Sequence, residues 1–189
     1  MNWKKVFQTI ALNLRSSAPK RAAYLRKTGL FGMMGERVSY SPRKIPLYPN
    51  LIRIHNNVRL ATGVQFITHD ISDKVINEYL KTSGIEERVS ERVGCIEIMD
   101  NVFIGANSII LYNVRIGENC IIVAGSLVNK DIPAGSVAVG TPCKVIGKFE
   151  DFVEKRLKSM EGTALPHVRG VSIPVETAEW YWQEFEKER

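Results

Sequence analysis

The 189-residue sequence predicts a mainly β protein, a solenoid that turns every six residues, with helices at both ends and one long loop. The first observation is an aliphatic residue at every sixth position from Ile98. The second is a small or β-branched residue four positions after each of these. Because no helix has a period of six and a simple strand has a period of two, the pattern requires short strands separated by turns. The two series are Ile98, Ile104, Ile110, Ile116, Ile122 and Val128, and Val102, Ser108, Val114, Cys120, Ser126 and Ile132.

Each six-residue unit has a simple physical interpretation. The aliphatic residue fills the interior, the small residue packs under the corner, and Asn or Gly just before it accepts the turn dihedrals, as at Asn101, Asn119 and Gly125. Three sides make one coil, and successive coils pair as parallel strands about 4.8 Å apart. A single coil cannot bury its own interior, so we expect a stack of coils with capping elements.

The same register occurs earlier in the chain, at Ile54, Leu60 and Phe66, and then stops. The sequence between Asp70 and Val93 is polar and charged and has no hexads. We therefore expect one coil, an extruded loop at about 71–94, and two further coils. A long loop in a regular solenoid is more often functional than not.

The two ends of the chain have the spacing of amphipathic helices. We divide the chain into a basic helical segment at 1–45, the solenoid domain at 46–148 and a helical extension at 149–189. The apolar stripes of these helices are expected to pack against the coil ends or a neighbouring subunit. The stripes are Trp3, Val6, Phe7, Ile10 and Leu14; Phe149, Phe152, Val153 and Leu157; and Ala178, Tyr181, Trp182 and Phe185.

Charge and cysteine content restrict the environment and the partners. The net charge is +6, and the chain through Lys44 has ten Lys and Arg but one acid, Glu36. Such a segment suits nucleic acid, anionic lipid or an acidic substrate, or is simply a solvated helix face. Three cysteines without a CxxC pair favour a reducing compartment over disulfides or a zinc cluster. The N-terminus lacks the pattern of a signal peptide, so we expect a cytoplasmic protein.

The region from about 49 to 148 resembles the hexapeptide-repeat acyltransferases. The resemblance is carried by Asn101-Val-Phe-Ile-Gly-Ala-Asn107, by Ile116-Gly-Glu-Asn119, by Ala124-Gly-Ser126, and by the closing segment 130–146 with Gly140-Thr-Pro142. Thr68-His69-Asp70 before a long loop is similar to the sugar O-acetyltransferases of polysaccharide biosynthesis and to the xenobiotic acetyltransferases. The resemblance implies a left-handed parallel β-helix, acetyl-CoA as the co-substrate, no metal, and a homotrimer with active sites shared between subunits.

Acyl transfer to a hydroxyl requires a base, and histidine suits that task because it titrates near neutral pH. His69 stands where the regular coil gives way to the loop, and the resemblance implies that it is the general base. Asp70 is its neighbour, but consecutive strand residues point to opposite faces, so the orienting group is left open between a loop carboxylate such as Asp73 and a backbone carbonyl. His55 and Asn56, with Asp70, are the expected acceptor-binding residues; His167 receives no role.

The resemblance also implies a groove for acetyl-CoA between neighbouring subunits. Small residues would let backbone amides reach the pantetheine arm, Phe103 stands where many relatives have tryptophan, and lysines would hold the nucleotide phosphates. The expected acetyl-CoA-binding residues are Phe103, Ala106, Ala124, Gly125, Lys130, Lys144 and Lys148.

The expected function is transfer of acetyl from acetyl-CoA to a hydroxyl of a sugar or polysaccharide precursor. The alternatives are an N-acetyltransferase acting on a nucleotide-linked amino sugar, transfer to a small xenobiotic, and a non-catalytic scaffold subunit. A zinc enzyme resembling the γ-class carbonic anhydrases would need all three histidines of the chain as ligands and is not favoured. We expect no nucleic-acid partner, and the basic N-terminal helix is a candidate for peripheral contact with an anionic membrane.

Overall fold

The computed structural model describes residues 3–160, 173–187 and 189, and its strands form three main sheets that the chain visits in rotation. Sheet A contains β1 (Met33–Met34), β3 (Ile52–Ile54), β8 (Ile96–Ile98) and β11 (Val114–Ile116). Sheet B contains β2 (Ser39–Tyr40), β4 (Arg59–Leu60), β9 (Val102–Ile104), β12 (Cys120–Ile122), β14 (Ser136–Val139) and β15 (Lys144–Lys148). Sheet C contains β5 (Gln65–Ile67), β10 (Ile109–Leu111) and β13 (Leu127–Val128).

The pairing register confirms a coil of three six-residue sides. Ile98 is paired with Ile116 in sheet A, Ile104 with Ile122 in sheet B, and Ile110 with Val128 in sheet C. All these pairs are parallel and three hexads apart; within sheets A, B and C of the described residues, only β15 runs antiparallel, against β14. One pass through sheets A, B and C is therefore one coil, as the repeat predicted.

Both residue series of the repeat face the interior. Every member of the aliphatic series from Ile98 to Val128 has 0% of its surface exposed, and every member of the second series has 5% or less. Full burial of an aliphatic side chain stabilises the fold by about 1.5–3 kcal/mol, so the stacked series forms the main hydrophobic core. The prediction of which residues fill the coil is confirmed.

The turns between sides use the residues that the sequence indicated. Asn101, Asn119 and Gly125 have φ values of 59°, 55° and 73°, in the left-handed region that asparagine and glycine tolerate best. The asparagine side chains also stack along one corner, because Asn57 donates to Asn101 at 2.8 Å and Asn101 donates to Asn119 at 3.1 Å. The same residues therefore set the turn and tie successive coils together.

The first strands of the solenoid lie earlier than residue 46, where the sequence analysis placed its start. Strands β1 and β2 pair in parallel with β3 and β4, with Met33 opposite Arg53 and Ser39 opposite Arg59. Residues 1–45 are thus helical only in part. Met34 and Tyr40 are spaced like one hexad, but two strands of two residues give too short a repeat to recognise in sequence. The division into three domains itself stays a prediction.

The extruded loop begins and ends in a short antiparallel pair and contains a helix that the sequence analysis did not predict. Strands β6 (His69–Asp70) and β7 (Arg92–Val93) pair at its base, and helix α3 (Asp73–Thr82) lies between them. No residue of α3 is buried, and Val75, Ile76 and Tyr79 are exposed. Val75, Ile76 and Tyr79 do have helical spacing, so the sequence carries a signal for α3 among its charged residues.

Two helices precede the solenoid. Helix α1 (Trp3–Asn13) buries Leu12, whereas Trp3, Phe7 and Ile10 of its apolar stripe are more than half exposed, so the stripe does not pack within the chain. Helix α2 (Ala18–Thr28) is capped at its start by the Ser17 side chain and ends at a left-handed Gly29. These caps satisfy backbone groups that a helix leaves open at each end.

Helices α4 (Phe149–Lys158) and α5 (Val175–Lys187) follow the solenoid. The chain divides into two compact units, 1–152 and 153–189, so α4 spans the boundary between them. Tyr181, Trp182 and Phe185 of the predicted C-terminal stripe are exposed. Among the helices of the described ranges, none has the length and apolar character needed to cross a bilayer.

Candidate functional site

The predicted site residues lie at different corners of the three-sided coil. Residues 55–57, 99–101 and 117–119 form the A–B corner, residues 61–63, 105–107 and 123–125 form the B–C corner, and residues 68–69, 112–113 and 130–131 belong to the C–A corner. His69 is at the C–A corner and the predicted acceptor residues His55 and Asn56 are at the A–B corner. Within one chain, these groups therefore stand at opposite edges of sheet A.

His69 is held where the coil opens into the loop. Its strand β6 is paired with β7 opposite Val93, and the Thr68 carbonyl accepts from the backbone N–H of Gly94 at 2.9 Å. The imidazole is half-buried and meets the edge of the Tyr48 ring, with ring centroids 5.6 Å apart and planes at 78°. Its Nδ1 atom is buried and has no hydrogen-bond partner among the described residues. The buried Nδ1 leaves Nε2 as the ring nitrogen that can meet a substrate.

Asp70 is committed to the base of the loop. Its Oδ1 accepts from the backbone N–H of Ser72 at 2.8 Å. Hydrogen bonds from Ser72 hold the pKa of the Asp70 carboxyl below its usual value, and Tyr112 and Arg92 act in the same direction. The Arg92 guanidinium also lies over the Tyr112 ring, 5.6 Å from its centroid. This carboxylate thus links the start of the loop to its end and to the next coil.

His55 is engaged by a carboxylate that the sequence analysis missed. Its Nε2 lies 3.2 Å from Oε1 of Glu97, whose Oε2 accepts from Arg115 at 2.8 Å. The hydrogen bond with His55, followed by those with Arg115, lowers the pKa of the Glu97 carboxyl. Asn56 is also engaged, because its Oδ1 accepts from the backbone N–H of Glu36 at 2.9 Å. In a single chain, His55 therefore contacts Glu97 on the outer side of sheet A, and Asn56 is hydrogen-bonded within the A–B corner.

The small residues predicted to bind acetyl-CoA come together at the B–C corner. Ala106 and Ala124 occupy equivalent positions in successive coils, and the Gly125 backbone N–H donates to the Ala106 carbonyl at 2.8 Å. A Cβ on Gly105 would stand 2.3 Å from the backbone nitrogen of Ala124. The two coils are therefore in backbone contact at this corner.

The other predicted acetyl-CoA residues are spread over two faces. Lys130 is exposed at the C–A corner, the corner that also carries His69. Phe103 is on the outer side of sheet B and is 43% exposed. Lys144 and Lys148 are exposed on β15, at the end of sheet B. Sheet C therefore lies between the small-residue corner and the corner of His69 and Lys130.

A cavity of about 440 Å³ lies beside the first strand of sheet C. Gln65 and Ile67 of β5, Asn107, and the preceding segment with Arg43 and Lys44 form its wall. Ile67, the last wall residue of β5, is two residues before His69, which does not itself line the cavity. The sequence analysis did not predict this cavity, because residues 41–51 replace a regular side of the coil and have no repeat.

Four residues of the site were not predicted, and the sequence contains a usable signal for three of them but not for the fourth. Glu97 and Arg115 are three hexads apart on a single face, so the repeat would have shown that they are neighbours. Tyr112 immediately precedes a corner asparagine. It is equivalent in register to Thr68, and this equivalence would have predicted that Tyr112 lies at the loop corner. Tyr48 lies in a segment without a repeat, and its contact with His69 has no sequence signal.

Comparison with known proteins gives consistent matches. The family model described as bacterial transferase hexapeptide (six repeats) matches residues 96–130. YvoF of Bacillus subtilis, whose name assigns it provisionally to the acetyltransferases, is 31% identical over 140 residues, covering 73% of each chain. The crystal structure of a maltose O-acetyltransferase from Clostridium difficile 630 is 34% identical, with a TM-score of 0.55, covering 77% of this chain and 84% of that one.

A more distant structure has the same fold. It is a hexapeptide-repeat-containing acetyltransferase from Vibrio cholerae, complexed with acetyl coenzyme A. It is 22% identical and has a TM-score of 0.54. The match covers 78% of this chain and 86% of that one. At this identity the likeness extends to the fold alone.

Proposed function

This chain belongs to the bacterial hexapeptide-repeat transferases, and we propose that it moves an acetyl group from acetyl-CoA to a hydroxyl of a sugar or polysaccharide precursor, with His69 as the general base. The observation that carries the proposal is the position of His69, half-buried against Tyr48 at the break between coil and loop. The names of YvoF and of the Clostridium difficile maltose O-acetyltransferase support an acetyl donor, and that of the maltose O-acetyltransferase supports a sugar hydroxyl as acceptor.

The proposed reaction uses the free nitrogen of His69. Acetyl-CoA supplies an acetyl thioester. Nε2 accepts the proton of the acceptor hydroxyl as its oxygen forms a bond to the acyl carbon, and the proton then passes to the departing thiolate, giving the acetyl ester and CoA thiol. The imidazole is thereby restored at the end of each turnover.

The described residues suit the long arm and the phosphates of acetyl-CoA. A Cβ on Gly105 would overlap the next coil, and Ala106, Ala124 and Gly125 carry no side chain larger than a methyl group that would obstruct an extended ligand. Lys130, Lys144 and Lys148 are exposed cations that suit phosphates as point charges. Phe103 adds an exposed aromatic ring for stacking.

A homotrimer and a left-handed β-helix are part of the same proposal. The groups that we assign to acid–base chemistry, acceptor binding and acetyl-CoA binding lie on different corners, and a triangular coil cannot bring its own corners together. A neighbouring copy that places its A–B or B–C corner against the C–A corner of the first would complete the site. A closed three-fold ring allows this without open-ended growth.

The proposed location is the cytoplasm, which suits the three free cysteines. We also propose that helix α1 contacts an anionic membrane, because Trp3, Phe7 and Ile10 present an exposed apolar face in a segment rich in Lys and Arg. Co-sedimentation with vesicles of neutral and of anionic lipid tests this contact. Equal sedimentation with both vesicle types would argue against it.

The direct test of the function is thiol release from acetyl-CoA across a panel of neutral sugars, acidic sugars and nucleotide-linked amino sugars. We expect turnover with a sugar hydroxyl, and loss of turnover in His69→Ala with the fold and assembly unchanged. His167→Ala, which changes a histidine without a proposed role, is the matched control. Turnover confined to amino acceptors would favour the N-acetyltransferase alternative, and binding without turnover would favour a scaffold.

A further inference from the structure

Two buried polar atoms without a partner flank the first turn of the loop. Among the described residues, the buried side-chain atoms that lack a hydrogen bond are Arg26 Nε, His69 Nδ1 and Asp73 Oδ1. Two of these belong to residues only four positions apart. Burying a donor or an acceptor without a partner costs free energy, so such a pair in one short segment calls for an explanation.

The chain reverses direction between the two residues. Asp70 Oδ1 accepts from the Ser72 backbone N–H, and the Ser72 carbonyl accepts from Val75 and Ile76 as α3 begins. His69 thus ends the strand that enters the loop, and Asp73 is the first residue of the helix that follows. A reorientation of these two side chains across the turn would satisfy both atoms at once.

The other acids near His69 either have hydrogen-bond and charge partners or are exposed to solvent. Asp70 is held by Ser72, Tyr112 and Arg92 at the base of the loop. Glu78, Glu86, Glu87 and Glu91 of the loop are all exposed, whereas Asp73 is half-buried. Asp73 is therefore the partly buried carboxylate of the loop, four residues after the predicted base.

We infer that Asp73 is the positioning residue of His69, its carboxylate accepting a hydrogen bond from Nδ1–H. This inference rests on the proposed function. The bond would keep the proton of the neutral imidazole on Nδ1, so that Nε2 is bare and can accept the proton of the acceptor hydroxyl. It would also stabilise the imidazolium that forms during transfer. Tyr48, in edge contact with the ring, would hold the imidazole plane from the other direction.

The charges around the pair favour this arrangement. Arg92, from the strand that closes the loop, is next to Asp70, so these two opposite charges largely offset each other. Tyr112 of the neighbouring coil also lowers the pKa of the same Asp70 carboxyl. Among the acids of this segment, Asp73 is the one whose buried oxygen has no partner among the described residues. Asp73 also lies in the first turn of α3, where a carboxylate interacts favourably with the helix dipole. The test must distinguish this structural role from the positioning of His69.

The test compares Asp73→Asn with Glu78→Gln, which removes an exposed acid from the same helix and is the matched control. We expect Asp73→Asn to lower kcat by on the order of 100-fold, with little change in the KM for acetyl-CoA. The acidic limb of its pH–rate profile should move to lower pH, because the imidazolium loses its counter-charge. Asp73→Glu should recover part of the activity. A purely structural role would change neither the pH profile nor the balance between kcat and KM.

A second measurement does not depend on turnover. Nitrogen-15 NMR of labelled histidine at alkaline pH distinguishes the two imidazole tautomers. We expect His69 of the unmodified protein to carry its proton on Nδ1 and to lose this preference in Asp73→Asn. The inference is overturned if the tautomer and kcat of Asp73→Asn match those of the Glu78→Gln control. Absence of acetyl-CoA turnover in the unmodified protein would instead refute the proposed function, while the tautomer would still decide the pairing.

Discussion

Substitution of Gly105 by alanine is the sharpest test of how the coils pack. An alanine Cβ would stand 2.3 Å from the backbone nitrogen of Ala124 and 2.7 Å from its Cα, whereas ordinary contacts begin at 3.4 Å. The overlap is about 1 Å, and it is with backbone atoms that cannot rotate away. The Gly105 N–H also donates to the Ile122 carbonyl at 2.8 Å, which holds the two coils at this spacing.

The expected cost is therefore at the upper end of the range for over-packed sites, about 3 kcal/mol in the free energy of unfolding. Gly135→Ala is the matched control. Its Cβ would meet no atom within 4 Å, and only the φ of +70° opposes it, so its cost should be about 1 kcal/mol. Urea denaturation followed by circular dichroism, at one protein concentration, measures both variants.

Equal losses in the two variants would refute the reasoning, because the contact with Ala124 would then contribute nothing beyond backbone conformation. The same substitution also bears on the proposed acetyl-CoA groove. Displacement of Ala124 should raise the KM for acetyl-CoA in Gly105→Ala, and the Gly135→Ala control should not show this change.

Three further perturbations test the core and its polar supports. Glu97→Gln should lower the free energy of unfolding by about 1 kcal/mol near neutral pH, since the arginine partners of Glu97 are well exposed. The pKa of Glu97 is lower in the folded than in the unfolded protein, so its contribution to stability is present above the unfolded-state pKa and is lost as the pH falls through the folded-state pKa. The urea midpoints of the variant and the parent should therefore converge in acid. Glu118→Gln is the control. Ile104→Ala, at 0% exposure, should cost about 2–5 kcal/mol by the same urea assay. Arg21→Met should lower the melting temperature, because the buried guanidinium that donates to the Tyr40 carbonyl at 2.9 Å is lost; an unchanged melting temperature would contradict this role.

The periodic part of the fold could be predicted because one physical constraint repeats. Each coil must bury an aliphatic side chain and accept a left-handed turn residue, so Ile104 and Asn101 have counterparts in every coil. The first strands escaped prediction because Met34 and Tyr40 form a single hexad before an irregular segment. Helix α3 was missed because its charged residues hide an apolar stripe at helical spacing, which includes Val75, Ile76 and Tyr79.

The candidate site was predictable only where it interrupts the repeat. His69 could be singled out from sequence because the hexads stop beside it. Asp73 could be named from sequence only as one of several possible orienting groups. Tyr48 could not be named, since its contact with His69 depends on how residues 41–51 fold back on the coil. Such contacts are set by tertiary packing of irregular segments, for which neither period nor spacing gives a rule.

The separation of the site among corners follows from the geometry of the coil itself. Every inward position is filled by a side chain of the core, so functional groups can stand only on outer faces and corners. A convex triangular surface points these groups away from one another, as it does for His69 and His55 at the two edges of sheet A. In the proposed trimer, a second copy would provide a surface that faces the first, and the groove between them would enclose an extended ligand. The regularity that makes the fold predictable from one chain thus makes the proposed active site a property of the assembly.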